Sequence, residues 1–173
     1  MILVRTAILA ILVAFSSSAQ EAEPPMTVER MSAIILALDS EARSNQNQLY
    51  LTIEDVPLVL VADAASDWMR VMAPIRSADG VAEEDMRRMM QANFDTELDA
   101  RYAIAQGRLW AVFIHPFRAL EKDQLISGIG QTVNLALTYG NLYTGGALAY
   151  RGGDSLAIQR DLIDRLLKKG DPI

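Results

Sequence analysis

The stretch from Glu83 to Tyr139 decides the fold: it contains Asn93-Phe94-Asp95, then Leu98-Asp99-Ala100-Arg101-Tyr102-Ala103-Ile104, then Leu109-Trp110-Ala111-Val112-Phe113-Ile114-His115-Pro116. Glu83, Glu84 and Asp85 stand where a helix dipole favours carboxylates, in a first turn. Ala82, Met86, Met89 and Met90 recur as the buried stripe of that helix, which stops near Asn93. Tyr102 and Ile104 then alternate with Ala103 and Ala105, a turn falls at Gln106-Gly107, and Leu109 to Ile114 return as the second strand of a hairpin, closed by Pro116. Leu125, Ile126, Ile129, Val133 and Leu137 recur at three- and four-residue spacing, a helix beginning near Glu121.

Upstream, Thr27 is an N-cap, and Val28, Met31, Ile34, Ile35 and Leu38 share one face of a helix expected to end near Ala42. Ser44-Asn45-Gln46-Asn47 reads as a polar turn. Leu49, Leu51 and Ile53 alternate with Tyr50 and Thr52, a half-buried strand. Leu58-Val59-Leu60-Val61 is a continuous apolar run, the pattern of a strand covered on both faces. Trp68 to Ile75 gives a third strand, with Pro74 suited to an end or edge. The expected order is α-β-β-β-α-β-β-α, an α+β domain with a five-stranded antiparallel sheet.

The flanks divide the chain into 1–19, 20–140 and 141–173. Arg5, the apolar run Ala7–Phe15 and the small residues Ser17 and Ala19 make a signal peptide, with cleavage expected before Gln20. That run is shorter than the about 20 residues a bilayer span needs. Gly140, Gly145, Gly146, Gly152 and Gly153 mark a linker. Leu156, Leu162, Ile163, Leu166 and Leu167 make an amphipathic terminal helix ending at Lys168-Lys169-Gly170, with cations suited to its C-terminal dipole.

The 173 residues carry a net charge of −6 with no basic cluster, which argues against nucleic acid or anionic lipid as partners. No cysteine is present, so neither a disulfide framework nor a thiolate metal site is available.

The element order, the Asn93-containing helix end, the Asp99-to-Ile104 strand, Gly107 and Leu109 resemble the type III secretion chaperone-like fold. Within it, the chain more closely resembles the bacterial family labelled as sensory-transduction regulators. The resemblance spans Val28 to Tyr139. It implies a small acidic protein-binding dimer and supplies no catalytic residue. The export signal and the glycine-rich extension depart from the secretion chaperones, which are cytoplasmic.

No chemical constellation stands out. His115 is the sole histidine; bracketed by Ile114 and Pro116, it reads as a packed ring whose nitrogens find backbone partners. Asp95, Glu97 and Asp99 lack the glycine and terminal glutamate of a calcium loop and read as a solvated turn with Arg101 as local partner. Met69 and Met72 are three apart on a strand and so point to opposite faces, which leaves no thioether copper site. Gly128-x-Gly130 is no nucleotide fingerprint; it lets a helix approach the sheet or a partner helix closely. Trp68 and Trp110 lie on strands, as core or as lining of an apolar groove. The reading is therefore an exported, periplasmic or secreted, non-catalytic protein-binding module without cofactor or metal. It would act on a protein client or envelope partner, as a homodimer. The alternatives are a structural subunit of an envelope complex and a small hydrolase using His115 with Asp95 and Asp99.

Overall fold

The structure, a computed structural model, describes residues 23–46, 48–95, 99–139 and 154–171, with side chains at all of these except 95 and 154–158. The leader Met1–Ala19, Glu97 and the glycines from Gly140 to Gly153 lie outside the described residues. The elements are α1 (Val28–Leu38), β1 (Arg43–Asn45), β2 (Gln48–Ile53), β3 (Val56–Asp63), β4 (Trp68–Ser77), α2 (Glu83–Asp95), β5 (Arg101–Ala105), β6 (Arg108–His115), α3 (Lys122–Leu137) and α4 (Asp154–Gly170). The fold class is α+β, with one antiparallel sheet in the order β1-β2-β3-β4-β6-β5.

The sheet has six strands where the periodicity predicts five. The added strand, β1, comes from the polar stretch expected to turn; its three exposed residues pair by backbone alone with β2 and give no apolar signal. Two hairpin turns share one backbone form, one of them at the expected Gln106-Gly107. Glu54 (φ 49°) with Asp55 (φ 62°), and Gln106 (φ 53°) with Gly107 (φ 69°), put both central residues in the left-handed region, matching the twist of the flanking strands.

Capping sets the helix starts. The Thr27 hydroxyl accepts the Arg30 N–H at 3.1 Å. Glu121 and Gln124 close a reciprocal capping box at the head of α3. α1 ends at Leu38 and not Ala42, because Asp39 turns extended. Its carboxylate accepts the N–H groups of Glu41 (2.9 Å) and Thr52 (2.8 Å).

Burial is one-sided along every long strand. Leu49, Leu51, Leu58, Leu60, Met69, Val71, Leu109 and Phe113 point inward and are buried with Met31, Ile34, Ile35 and Leu38 of α1 and the length of α3. β3 thus alternates; Val59 and Val61 are half-exposed, and the expectation of cover on both faces fails. Its run of apolar residues resembles a doubly covered strand because both of its faces are apolar, not because both are buried. Met69 and Met72 do point to opposite faces. Pro74 lies within β4, at a shift of register between Pro74 and Arg76 and beyond the last residue paired with β3, so its missing N–H breaks no ladder on that side.

α3 is enclosed between the sheet and α4, and its two glycines permit both contacts. A Cβ on Gly128 would stand 2.6 Å from the Phe113 ring; one on Gly130 would stand 2.7 Å from the Ile163 side chain. Residues two apart on a helix diverge by about 200°, so the Gly-x-Gly spacing serves opposite neighbours. α4 packs against α3 and α1, and does not cross the sheet's other face. Lys169 donates to the carbonyl of Leu38 at 2.6 Å, serving the end of α1.

The methionine stripe of α2 is only partly buried. Met89 is inside, whereas Met86, Met90 and Phe94 are exposed, because α2 leans on the edge strand β5 and not on the sheet's face. Ile104, which alternates in step with the buried Tyr102, is 50% exposed at the same edge.

Candidate functional site: the outer face of the sheet

Since α1, α3 and α4 all pack on the inner side, the outer face carries the alternate residues of each strand and no described helix covers it. The ladder defines a row across all six strands: Arg43 opposite Tyr50, Tyr50 opposite Val59, Val59 opposite Met72, Met72 opposite Val112, and Val112 opposite Arg101. Directly opposed residues share a face, so these side chains form one apolar stripe with an arginine at each end. Neighbouring rows add Val61, Arg70 and Ile114, and Pro74 with Trp110. Ile114 is 57% exposed and Tyr50 39%.

Trp68 and Trp110 both lie half-exposed on this face. Each is stacked by an arginine two residues away on the same strand: Arg70 over Trp68 at 5.5 Å and Arg108 over Trp110 at 5.9 Å. The Trp110 indole N–H donates to the Ala105 carbonyl at 3.1 Å. Tyr50, Pro57, Val59, Pro74, Arg108 and Trp110 line an open groove of about 610 Å3. Asp39 and Glu41 stand at its β1 rim.

The tryptophans were visible in the sequence as strand residues, but of the four arginines only Arg101 was singled out, and as a partner of the acidic run. The signal for two of them was present: Trp68-x-Arg70 and Arg108-x-Trp110 have the spacing that puts both side chains on one face of a strand. Nothing local pointed Arg43 or Arg101 to this face; only the six-strand register aligns them.

The face's edges are closed to strand addition in part. β1 is short and polar. On β5, the Asn93 side chain of α2 accepts the Tyr102 N–H at 2.8 Å and donates to the Tyr102 carbonyl at 3.0 Å.

On the opposite side, His115, Asp99, Asp123, Ser127 and Gln131 line a concavity of about 370 Å3, floored by Phe113, Ile163 and Leu167. His115 and Asp99 thus share one cavity, but their hydrogen bonds run elsewhere. His115 Nδ1 meets the Pro116 carbonyl at 2.8 Å, and the ring stacks on Phe113 at 5.9 Å. Gln131 Oε1 accepts the N–H groups of Asp99 (2.8 Å) and Ala100 (3.1 Å), while its amide donates to Ser127 Oγ at 3.2 Å. The histidine therefore has the backbone partner expected of it. Of the acidic run, the Asp95 side chain and Glu97 lie outside the described residues, and Asp99 is exposed. Arg101 donates to the Ala100 carbonyl at 3.0 Å, and no ion pair with Asp99 forms.

No family model matches the chain, and no curated protein matches it. Solved structures similar to it include a chain of the ExsC–ExsE complex, at 13% identity and a TM-score of 0.48, covering 60% of this chain and 81% of that one. The Yersinia pestis type III secretion chaperone SycH, in complex with a stable fragment of YscM2, is similar at 14% identity and a TM-score of 0.48, over 62% of this chain and 97% of that one. The HopA1–SchA chaperone–effector complex gives 12% identity and a TM-score of 0.48, over 64% of this chain and 97% of that one. Overlap this partial does not bear on what the sheet face binds.

Proposed function

We propose that this chain is an exported, non-catalytic protein-binding module whose outer sheet face receives a partner, as in a chaperone or regulator. The observation that carries the proposal is the apolar row from Tyr50 to Val112, which no described helix covers, α1, α3 and α4 packing on the other side. Contiguous apolar surface of this kind is characteristic of interaction sites. Export rests on the Met1–Ala19 pattern. Membership of the sensory-transduction-regulator family within this fold, and pairing of two copies, belong to the same proposal; for pairing, the α2 flank offers exposed Met90 and Phe94.

The test is partner capture by cross-linking from the periplasm, comparing wild type with Met72→Asp at matched folded concentration. A charge in the middle of the row should abolish capture of any partner seated there. Capture that survives in Met72→Asp would end the proposal for this face. N-terminal sequencing of envelope-fraction protein should begin at or near Gln20; a cytoplasmic product retaining Met1 would end the export part.

A second reading, a small hydrolase, has one observation in its favour: Asp99 and His115 line the same concavity as Ser127.

A further inference from the structure

We infer that the occupant of the outer face is an acidic amphipathic helix of a partner protein, with apolar side chains on the Tyr50–Val112 row and carboxylates on the arginines around it. The inference rests on the protein-binding reading above and adds the partner's chemistry to it.

Most ion pairs lie away from the outer face. The chain is acidic, with net charge −6. Away from that face, Arg30 pairs with Glu23, Arg87 with Glu83, Arg88 with Glu84, and Arg165 with Glu54 and Asp161, while Arg76 and Arg118 donate to backbone carbonyls and Arg160 has no ion pair among the described residues. On the outer face, Arg43, Arg70, Arg101 and Arg108 have none among the described residues. Arg70 Nε is buried without a hydrogen-bond partner, a donor whose desolvation is uncompensated. Two acids nearest this face are already engaged by backbone. Asp63 accepts the N–H groups of Ala65 (2.9 Å) and Ser66 (3.0 Å) and the Ser66 hydroxyl (2.7 Å). Asp39 holds Glu41 and Thr52. The remaining one, Glu41, is exposed at the β1 rim.

A second copy of the chain fits this face less well than an acidic partner. Two such faces apposed would set four arginines from each copy against only three carboxylates, two of them, Asp39 and Asp63, already held by backbone N–H groups, and the surplus of like charge in a desolvated contact is costly. An acidic partner turns the same four groups into charge-assisted contacts. Geometry sets its size. Five inter-strand steps of about 4.8 Å place Arg43 and Arg101 about 24 Å apart, the length of about 16 helical residues.

The probe is a synthetic helix of about 16 residues with leucine at i, i+3, i+4 and i+7 and glutamate elsewhere, alongside a version with lysine for glutamate. Binding to the full chain is read by tryptophan fluorescence and calorimetry. The glutamate peptide should bind at least about tenfold more tightly than the lysine peptide, and this preference should fall as salt rises from about 0.05 M to about 0.5 M. Arg43→Glu/Arg101→Glu should remove or reverse the preference; both sites are solvent-accessible, and a thermal melt checks that folding is intact. Equal binding of the two peptides, no binding of either, or a preference unchanged in the double variant would overturn the inference. So would tighter binding to phosphatidylglycerol vesicles than to the peptide, lost in the double variant, which would assign the face to a membrane. If Met72→Asp abolishes partner capture while the arginine variant leaves it unchanged, only this inference fails. If Met72→Asp leaves capture intact, the underlying reading fails as well.

Discussion

Asn93 acts as a surrogate strand for Tyr102: its amide both accepts the Tyr102 N–H (2.8 Å) and donates to the Tyr102 carbonyl (3.0 Å). Those are the outward-facing backbone groups of an edge strand, which otherwise template pairing with another chain. The next outward N–H, that of Ala100, goes to Gln131 at 3.1 Å. α2 is thereby tied to the sheet by its C-terminal end, which explains why its methionines are less buried than their spacing predicts. Asn93→Ala should cost about 1–3 kcal/mol, two hydrogen bonds at about 1 kcal/mol each plus partial desolvation. It should also raise the rate of aggregation on mild heating. Chemical denaturation and light scattering check both; a variant as stable and soluble as wild type would show that the edge is not held by this amide.

The tail helix should be inseparable from the core. Leu162 (2% exposed) and Leu166 (5% exposed) are buried where α4 meets α3 and α1. Leu166→Ala should cost about 2–4 kcal/mol. Gly130→Ala should destabilise despite alanine's better helix propensity, because the new methyl meets Ile163. A chain ending at Tyr139 should aggregate or melt far lower than the full chain. A truncated protein with an unchanged thermal midpoint would show α4 to be a mere appendage.

Glu23 ties the segment before α1 to the head of α3. Its carboxylate accepts the Lys122 N–H at 3.0 Å and pairs with Arg30, and those interactions hold its pKa below the usual 4.5. A depressed carboxylate adds stability above its unfolded-state pKa, and that contribution is lost as pH falls through the lower folded-state value. Wild type should therefore exceed Glu23→Gln in stability at neutral pH, with the gap closing below about pH 4.5. Denaturant midpoints across that range are the measurement; a gap independent of pH would mean the ionised carboxylate contributes nothing.

His115→Gln should leave partner capture intact with a modest loss of stability, since the ring's contacts are one backbone carbonyl and Phe113. Loss of a specific hydrolytic turnover in this variant, with folding and capture unchanged, would make the second reading the better one.

Much of the fold could be read from local pattern. Alternation in Leu49–Ile53, the turn at Gln106-Gly107, the cap at Thr27, and the small residues Gly128 and Gly130 are short-range signals, and each did what its chemistry requires. The exceptions share a cause. β1 exists only because β2 has a free edge to pair with. Val59, Val61, Met90 and Ile104 are exposed or half-exposed because no described element lies over them.

For the binding face, the sequence by itself determined that Trp68 and Trp110 sit on strands, each with an arginine two residues away. It could not say whether they faced the core or solvent, since either side of an apolar strand looks alike in one dimension. Only the tertiary structure decided that, by stacking α1, α3 and α4 on a single side of the sheet. It also brought Arg43 and Arg101, 58 residues apart in the chain, to opposite ends of one cross-strand row. Register between strands is a property of all six together, whereas periodicity is a property of each alone.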